Sequence, residues 1–420
     1  MESARNGGRS PRPLALGTLL AFCLLAAPLR AQEQEPSLHL KGNVDSYHAA
    51  GVQNDGRWMA SHTRVRGDLR AQGYGATARV IANLEHNPLY GEDLEMNLRE
   101  AYLDYTAPQW GVRAGRQIII LGVADGLQVL DQLSPTDMRE FLTRDYDDVR
   151  QGVNAVRLSY FRQWLTLDLI AAPIFQAGRL PTDPRSPWAL RPDTKGLPLE
   201  VVPGERPKPR VKDSELALRA RFNLPGVDFS LVAIRGWEKM PVRQVGLGPK
   251  GVRLQLHHPR LYTFGGSVAV PIGQTVLSAE GAYMPRRSMA GSFGLGPQER
   301  DNALGLLGLS WYAPRQWFVG VQGMYRHIFG YDSKLAMRRG WESRITLNVS
   351  KKLLGETLHL GLNAQYDVGD KGLFSRFSAK YQLLDELHLS AGYDLFVADG
   401  GMFARYRDND EVWARLQYFF

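Results

Sequence analysis

The feature that most constrains the fold of this chain is a short segment of alternating apolar and polar side chains, which recurs along most of its length. The clearest example closes the sequence, where one face carries Val412, Ala414, Leu416, Tyr418 and Phe420. A period of two residues is that of a β-strand, because successive side chains point to opposite faces of a sheet. The pattern therefore predicts an all-β fold.

The connections between these segments alternate between tight and long. Tight ones include residues 107–109, 161–163, 223–226, 272–273, 313–315 and 384–386, and long ones include 122–150, 178–212, 239–259 and 285–300. Bacterial outer-membrane barrels have this asymmetry, with short periplasmic turns and longer external loops. Trp110, Trp164 and Trp317 each open a strand after a tight turn, as an aromatic belt at one membrane interface requires. A soluble sandwich has no reason to place its long loops on one side, so the connections favour a barrel.

The number of segments is consistent with closure of such a barrel. Strands are predicted near residues 37–48, 58–71, 75–86, 95–106, 110–120, 152–161, 164–175, 214–222, 227–237, 260–270, 275–284, 302–312, 317–328, 341–351, 357–367, 373–383, 386–397 and 411–420. That makes about eighteen strands, with sixteen as the alternative, because sequence fixes strand boundaries poorly. In hydrocarbon every backbone donor and acceptor must be paired, so the sheet must close. We therefore predict a closed antiparallel transmembrane β-barrel.

Two of these segments alternate badly. Arg116 falls on the wrong face of the segment 110–120, and Val232 and Ile234 fall on the wrong face of 227–237. A β-bulge shifts the pairing by one residue and would explain either case.

The N-terminus predicts a cleaved signal peptide over residues 1–31. Arg5, Arg9 and Arg12 precede an apolar run over residues 14–27, and a cleavage site follows Ala31. A lipoprotein signal ending at Cys23 is the alternative, although Phe22 is bulky where a small residue is needed. Residues 32–420 are then one transmembrane barrel with long external loops near 121–151 and 176–212. We expect export through the periplasm to the outer membrane.

Charge and cysteine content exclude several other classes of protein. The formal net charge of +8 falls to +5 when the signal peptide, with four arginines and one glutamate, is removed. That bias is too weak and too dispersed for a nucleic-acid partner. Since Cys23 is the only cysteine, the mature chain has no disulfide and no thiolate metal site. We predict no cofactor and no metal site.

Two short stretches resemble known proteins. The C-terminal Leu416-Gln417-Tyr418-Phe419-Phe420 resembles the terminal signature of outer-membrane proteins, which implies recognition by the barrel-assembly machinery. Gly115 to Gly126 (GRQIIILGVADG), followed by residues 133–137 (LSPTD), resembles a family of uncharacterised proteobacterial barrel proteins. Leu121 replaces a tryptophan of that family's pattern, and the resemblance covers only about 30 residues, the length of about three barrel strands. It implies a topology and no substrate.

Inward-facing charges predict a basic wall inside the barrel. Strand 58–71 points Arg64, Arg66 and Arg70 the same way, and its neighbour adds Arg79. Closure brings the last strands beside the first, which adds Arg376, Lys380 and Arg415. We predict that these seven residues line the pore. The alternative is a solvated charged face that only keeps the lumen wet.

The long connection over residues 122–150 is the candidate constriction. It is the third external loop, and it carries Asp131, Asp137, Glu140, Asp145, Asp147 and Asp148. A helix start is predicted at Ser134-Pro135. The position resembles that of the loop that folds into the lumen of general porins, and opposed charge rows select among polar solutes. We therefore expect this loop to constrict the pore.

These features favour an outer-membrane porin through which small hydrophilic solutes or ions diffuse passively. Its partners would be outer-membrane lipid, polar solutes and either a second copy or a periplasmic or surface protein. The alternative is a structural barrel that sheathes or anchors a partner, such as the porin part of an electron-conducting complex. An enzyme is less favoured, because the histidines near the outer ends of strands, His48, His86, His257, His258 and His327, stand in no catalytic motif. An amphiphile transporter would need an apolar lumen face, which the pattern does not predict.

Overall fold

A computed structural model describes residues 36–420, apart from residues 54, 90, 91, 125, 190–193, 195, 203 and 205. The predicted signal peptide, residues 1–31, lies outside the described residues. Within the described part, no helix is long and apolar enough to cross a membrane.

Strands dominate the molecule. They are β1 (Ser37–Gly51), β2 (Trp58–Gly73), β3 (Ala76–Asn87), β4 (Glu92–Thr106), β5 (Trp110–Gln117), β6 (Val153–Phe161), β7 (Leu165–Ala172), β8 (Leu199–Val202), β9 (Glu215–Leu224), β10 (Val227–Trp237), β11 (Val242–Gly248), β12 (Gly251–His257), β13 (Arg260–Ile272), β14 (Thr275–Met289), β15 (Gln298–Ala313), β16 (Trp317–Ile328), β17 (Trp341–Leu353), β18 (Leu358–Asp367), β19 (Gly372–Gln382), β20 (Leu387–Val397) and β21 (Glu411–Phe419). In the described residues, the helical pieces are one α-turn, Tyr146–Val149, and two 3-10 turns, Val211–Asp213 and Phe403–Tyr406.

Eighteen of these strands form one closed antiparallel barrel, as predicted. Each barrel strand pairs with the next, and β21 pairs with β1 to close the sheet. The three strands outside the barrel, β8, β11 and β12, form a small separate sheet in the connections β7–β9 and β10–β13. Tight turns lie at one end of the barrel and long connections at the other, which confirms the predicted asymmetry.

Side chains alternate between the two faces of the barrel wall. In β9, Glu215 and Ala217 point inward and are buried, whereas Leu216 and Leu218 point outward with 38% and 53% of their surface exposed. The same apolar outer surface runs around the barrel, and Trp110, Trp164 and Trp317 lie exposed at the tight-turn end. An apolar outer band with an aromatic rim is what a lipid bilayer requires of a barrel.

The two irregular segments have different explanations. In β10 the pairing with β9 and β13 is regular, so the predicted bulge is wrong there. Val232 and Ile234 face inward because they pack in an apolar cluster inside the barrel. The expectation of a lumen without an apolar face is therefore also wrong. The connection between β5 and β6 covers this face.

A bulge does occur beside Arg116, but in the neighbouring strand. The register of β4 against β3 shifts so that Arg99 is unpaired. The Arg116 side chain donates to the Leu98 carbonyl and, at 2.8 Å, to Gln176. β5 ends at Gln117, not at residue 120, because the chain then turns into the barrel.

Candidate functional site

The connection between β5 and β6, residues 118–152, crosses the inside of the barrel; we call it the luminal loop. At one end, Val123 and Ala124 contact Glu280 of β14. At the other, Asp148 contacts Arg64 and Arg66 of β2. Eight strands separate β2 from β14 in either direction around the barrel, so the two contacts lie on opposite walls. The third external loop thus lies inside the barrel; that it constricts the pore stays a prediction.

Glu280 holds the first end through backbone hydrogen bonds. Its Oε1 accepts from the amide of Val123 and, at 2.7 Å, from that of Ala124. Gly122 permits this approach, because a Cβ there would lie 2.4 Å from the same oxygen. On the loop itself, Asp131 accepts from the amides of Leu121 (2.6 Å) and Gly122 (3.0 Å), which fixes the turn that presents these donors.

An apolar cluster fixes the same half of the loop to the wall. The loop contributes Ile119, Leu121, Leu127, Val129, Leu130 and Leu133, all at most 5% exposed. They pack against inward side chains of β6, β7, β9, β10 and β13–β16, among them Ile234, Met284, Leu306 and Met324. Each fully buried side chain of this size contributes about 2 kcal/mol, so the cluster outweighs any single ion pair in holding the loop.

The other end of the loop is held by charge. Asp148 lies 2.8 Å from Nη2 of Arg64 and 2.6 Å from Nη2 of Arg66. Arg415 bridges Asp145 of the loop and Asp45 of β1, and Asp45 also pairs with Arg64 at 2.8 Å. Burial alone would raise the pKa of Asp148, but the guanidinium groups of Arg64 and Arg66 outweigh it and lower that pKa below its usual value.

A second buried pair lies beside this network. Glu140 is 2.9 Å from Arg144, which also pairs with Glu85 of β3 at 2.8 Å, and 3.6 Å from Nε2 of His62. Burial opposes ionisation of Glu140, yet Arg144 and His62 lower its pKa well below the usual value. The loop is therefore charged where it meets the wall of β1–β3 and apolar where it meets the opposite wall.

Only some of the predicted pore-lining and constriction residues contact one another in the structure. Arg64, Arg66 and Arg415 meet Asp145 and Asp148 directly. Four other predicted residues form different ion pairs: Arg376 with Asp394 (2.6 Å), Arg79 with Asp68 (2.7 Å), Asp131 with Arg150 (2.9 Å) and Asp137 with Arg139 (2.8 Å). Arg70 is exposed, and Lys380 lies over the Phe419 ring at 5.9 Å. Asp147 is exposed, and its carbonyl accepts from Arg99.

The predicted helix start at Ser134-Pro135 is wrong. Thr136 and Asp137 are extended and form isolated bridges to Arg150 and Arg179. The amide of Asp137 donates to the carbonyl of Val149 at 2.7 Å. The helical turn of this loop is instead Tyr146–Val149, directly after Asp145. The β-bridges and backbone hydrogen bonds of the loop outweigh the local sequence signal for a helix.

Aromatic side chains join the luminal loop to two other external connections. Phe141 of the luminal loop lies 4.4 Å from Tyr406, centroid to centroid. Trp188, from the connection between β7 and β9, is fully buried beside both and 5.6 Å from Phe396 of β20. Three long connections therefore pack together at the external end.

Among the described histidines, His48 is the one that stands between two serine hydroxyls. His48 lies between the hydroxyls of Ser46 (3.0 Å) and Ser61 (2.9 Å) on the outward face of β1 and β2. In the part of the chain that the structure describes, no carboxylate is recorded in contact with this imidazole. A nucleophile and base need such an orienting group. Among the described residues, no cluster of three or more potential ligands could hold a metal ion.

Sequence reasoning missed Glu280 and Asp45. The parity of β1 places Asp45 on the same face as Tyr47, so alternation could have identified it. Glu280 had no such signal, because its partners are backbone amides of a loop distant in sequence.

Comparisons with known proteins concern the fold. No family model and no curated protein matches the chain. Among solved structures it is similar to OccAB1 of Acinetobacter baumannii, with a TM-score of 0.53 and 11% identity over 92% of this chain and 96% of that one. It is also similar to OccK2 (OpdF) of Pseudomonas aeruginosa in complex with glucuronate, with a TM-score of 0.52 and 12% identity over 91% and 97%. The outer membrane protein OpdK of Pseudomonas aeruginosa gives 0.52 and 9% over 91% and 99%.

At such low identity, these likenesses show the fold alone. The resemblance of residues 115–137 to an uncharacterised barrel family remains a prediction, since no family model matches. The closed sheet of eighteen strands and the neighbours agree: this chain has the fold of the outer-membrane β-barrel porins.

Proposed function

We propose that this protein is an outer-membrane channel through which small hydrophilic solutes or ions diffuse passively. The observation that carries the proposal is the luminal loop, anchored on opposite walls at Glu280 and at Arg64 and Arg66. A loop held across a wide barrel narrows it without the need for a separate plug. Charged side chains around such a narrowing select among polar solutes.

Two observations support a polar solute. The wall of β1–β4 presents Asp45, Arg64, Asn83 and Arg99 towards the loop, and these groups line small cavities beside it. The apolar inward side chains of the opposite wall, by contrast, are covered by the loop. OccK2 in complex with glucuronate and OpdK of Pseudomonas aeruginosa with vanillate carry small polar ligands, which is consistent with this proposal.

The test is a planar bilayer recording of purified protein in which residues 131–148 are replaced by a short glycine linker. Asp131 and Arg150 form an ion pair at 2.9 Å, so the ends to be joined are close together. We expect single-channel conductance to rise severalfold. Removal of the β11–β12 hairpin, residues 242–257, is the control, because it pairs with β8 and not with the barrel.

Two results would count against the proposal. Unchanged conductance after removal of residues 131–148 would refute the constriction. A wild-type protein that is silent in the bilayer, or as wide as the deletion variant, would favour a barrel that sheathes a partner.

A further inference from the structure

A run of basic residues lies immediately before β9, at the external end of the barrel. Arg206, Lys208, Arg210 and Lys212 alternate with prolines and a valine, and all four are exposed. The luminal loop and the proposed pore do not use these residues. Closely spaced cations repel one another, so such a segment favours an anionic ligand.

Two arginines of the barrel wall face outward beside this run. In β10, Val232 and Ile234 point inward and are at most 4% exposed, which leaves Arg235 on the outer face. In β13, Leu261 and Thr263 point inward, which leaves Arg260 and Tyr262 outside. The strand register pairs Arg235 with Tyr262 and Trp237 with Arg260, so these four side chains form one outward patch.

Hydrogen bonds fix the basic run against these arginines. Nη2 of Arg235 donates to the carbonyl of Lys212 at 2.8 Å, and Nη2 of Arg260 donates to the same oxygen at 3.1 Å. Because the two guanidinium groups share one acceptor, they lie side by side. Two carboxylates act on Arg260: Asp213, whose Oδ1 lies 3.6 Å away, and Glu215, which is buried and paired with Lys239. The charge of Asp213 does not balance the exposed cations around it.

The height of the patch matches a membrane interface. On the outer face Leu216 is the register partner of Arg235, and Leu218 and Leu231 lie further towards the tight-turn end; each is at least 38% exposed. The Arg260 guanidinium stacks 3.6 Å above the Trp237 ring, and Tyr262 is 43% exposed alongside. Tryptophan and tyrosine mark the level of lipid headgroups, where an arginine can reach a phosphate while its stem stays over apolar surface.

We propose that the outer basic patch, Arg206, Lys208, Arg210, Lys212, Arg235 and Arg260, binds the phosphate of an outer-leaflet lipid headgroup. Arginine pairs with phosphate through two parallel hydrogen bonds, and both wall arginines are already oriented by a carbonyl. Clustered basic residues at a membrane surface add electrostatic attraction to anionic lipid. The proposal rests on the outer-membrane location proposed above, and it does not require that the barrel conducts.

The experiment measures lipid that stays bound to the purified full-length barrel, by native mass spectrometry after exchange into nanodiscs that contain lipid A. We expect the wild type to retain lipid A, and Arg235→Gln/Arg260→Gln to retain about ten times less, since two charge-assisted contacts are lost. The loop variant Lys208→Gln/Arg210→Gln lies outside the barrel sheet and should also bind less. The matched control is Arg286→Gln/Arg339→Gln, which removes two cations paired with Glu299 and Asp370.

Inorganic phosphate and dephosphorylated lipid A are the remaining probes. Equal retention of lipid A in all variants, or equal retention of the dephosphorylated lipid, would overturn the proposal. If the patch retained inorganic phosphate in preference to lipid A, the assignment of the ligand as a lipid would be overturned. If the barrel retains lipid A through this patch but conducts no current in a bilayer, only the proposed channel function is refuted. If it conducts but its lipid retention does not depend on the patch, only the lipid-binding proposal is refuted.

Discussion

At the scale of single residues, Asp148 connects the luminal loop to the wall. Its carboxylate contacts Arg64 and Arg66, and Nη1 of Arg99 lies 3.8 Å away. Asp148→Asn removes about 2 kcal/mol of charge-assisted hydrogen bonding, which is too little to undock a loop that the apolar cluster also holds. It removes the carboxylate that Arg66 and Arg99 contact, whereas Arg64 keeps its ion pair with Asp45.

We therefore expect the Asp148→Asn variant to roughly double the preference for anions over cations, with little change in fold. The zero-current potential across a KCl gradient measures this preference. Asp147→Asn is the matched control, since its exposed side chain has no recorded ion pair among the described residues. A larger shift in that variant would contradict the assignment.

The lowered pKa of Asp148 predicts how the channel responds to acid. A carboxyl whose pKa is lower in the folded protein stabilises the fold above its unfolded pKa, near 3.8, and this contribution is lost as the pH falls through the lowered value. Glu140, whose pKa is also lowered, loses its contribution in the same range, so the loop loses two charged contacts together. The conductance should therefore stay constant from neutral pH to about pH 4 and rise only below it. Recordings from pH 7 to pH 3 test this, and a transition near pH 6 would contradict it.

The alternation of inward and outward side chains along a strand explains why some of the site could be predicted. Alternation alone placed Arg64, Arg66 and Arg415 inside the barrel, and the acidity of residues 131–148 identified their counter-charges. It failed at Val232 and Ile234, because apolar side chains inside a barrel are indistinguishable from lipid-facing ones until their partners are known. The pairing of Arg376 with Asp394 and of Arg79 with Asp68 depends on cross-strand register, which sequence does not fix.

At the scale of elements, the luminal loop consists of two unlike halves. Its first half carries the apolar residues that pack on β9–β16, and its second half carries the acids that meet β1, β2 and β21. The sequence predicted the position and charge of this loop but not its extended conformation. Contacts with two walls override the helix signal at Ser134-Pro135, because they involve residues far away in the chain.

The anchoring of the first half by Glu280 can be tested by removing and then replacing a carboxylate. Glu280→Ala removes the carboxylate that accepts hydrogen bonds from the Val123 and Ala124 amides and leaves a space between these donors. We expect severalfold greater open-channel current noise, because the loop end moves while its apolar cluster persists. Acetate added to the bath should bind to the two amides in this space and lower the current noise towards that of the wild type.

The control for this rescue is Glu280→Gln, whose amide oxygen still accepts hydrogen bonds and should leave the noise nearly unchanged. Chloride at equal ionic strength should not rescue Glu280→Ala, because it lacks the shape of a carboxylate. Noise that is equal in the wild type and in Glu280→Ala would show that the apolar cluster alone positions the loop.

At the scale of the whole molecule, the strand count and the closure followed from the sequence because two solvents act on one sheet. An apolar outer surface and a mostly polar inner one give an alternation that is visible in most strands, although not in β5 and β10, and the even number follows from the tight and long connections. The packing of three external connections around Phe141 and Trp188 did not follow. Those connections have no period, so only the folded chain brings their aromatic residues together.

Closure itself depends on the seam between β1 and β21, where Gly42 and Phe420 exchange backbone hydrogen bonds of 2.8 and 3.0 Å. A Cβ at Gly42 would lie 2.4 Å from the Phe420 ring and 2.5 Å from the Arg66 carbonyl, so Gly42→Ala forces the seam to shift. Gly67, the register partner of Gly42, has nothing within 4 Å of such a Cβ, and Gly67→Ala is the matched control. Overpacking of this kind costs about 1–3 kcal/mol, and at the seam it weakens the bonds that close the sheet. The temperature at which the folded band is lost on SDS gels should therefore fall for Gly42→Ala and stay unchanged for Gly67→Ala; equal temperatures would mean that the seam does not limit the stability of the barrel.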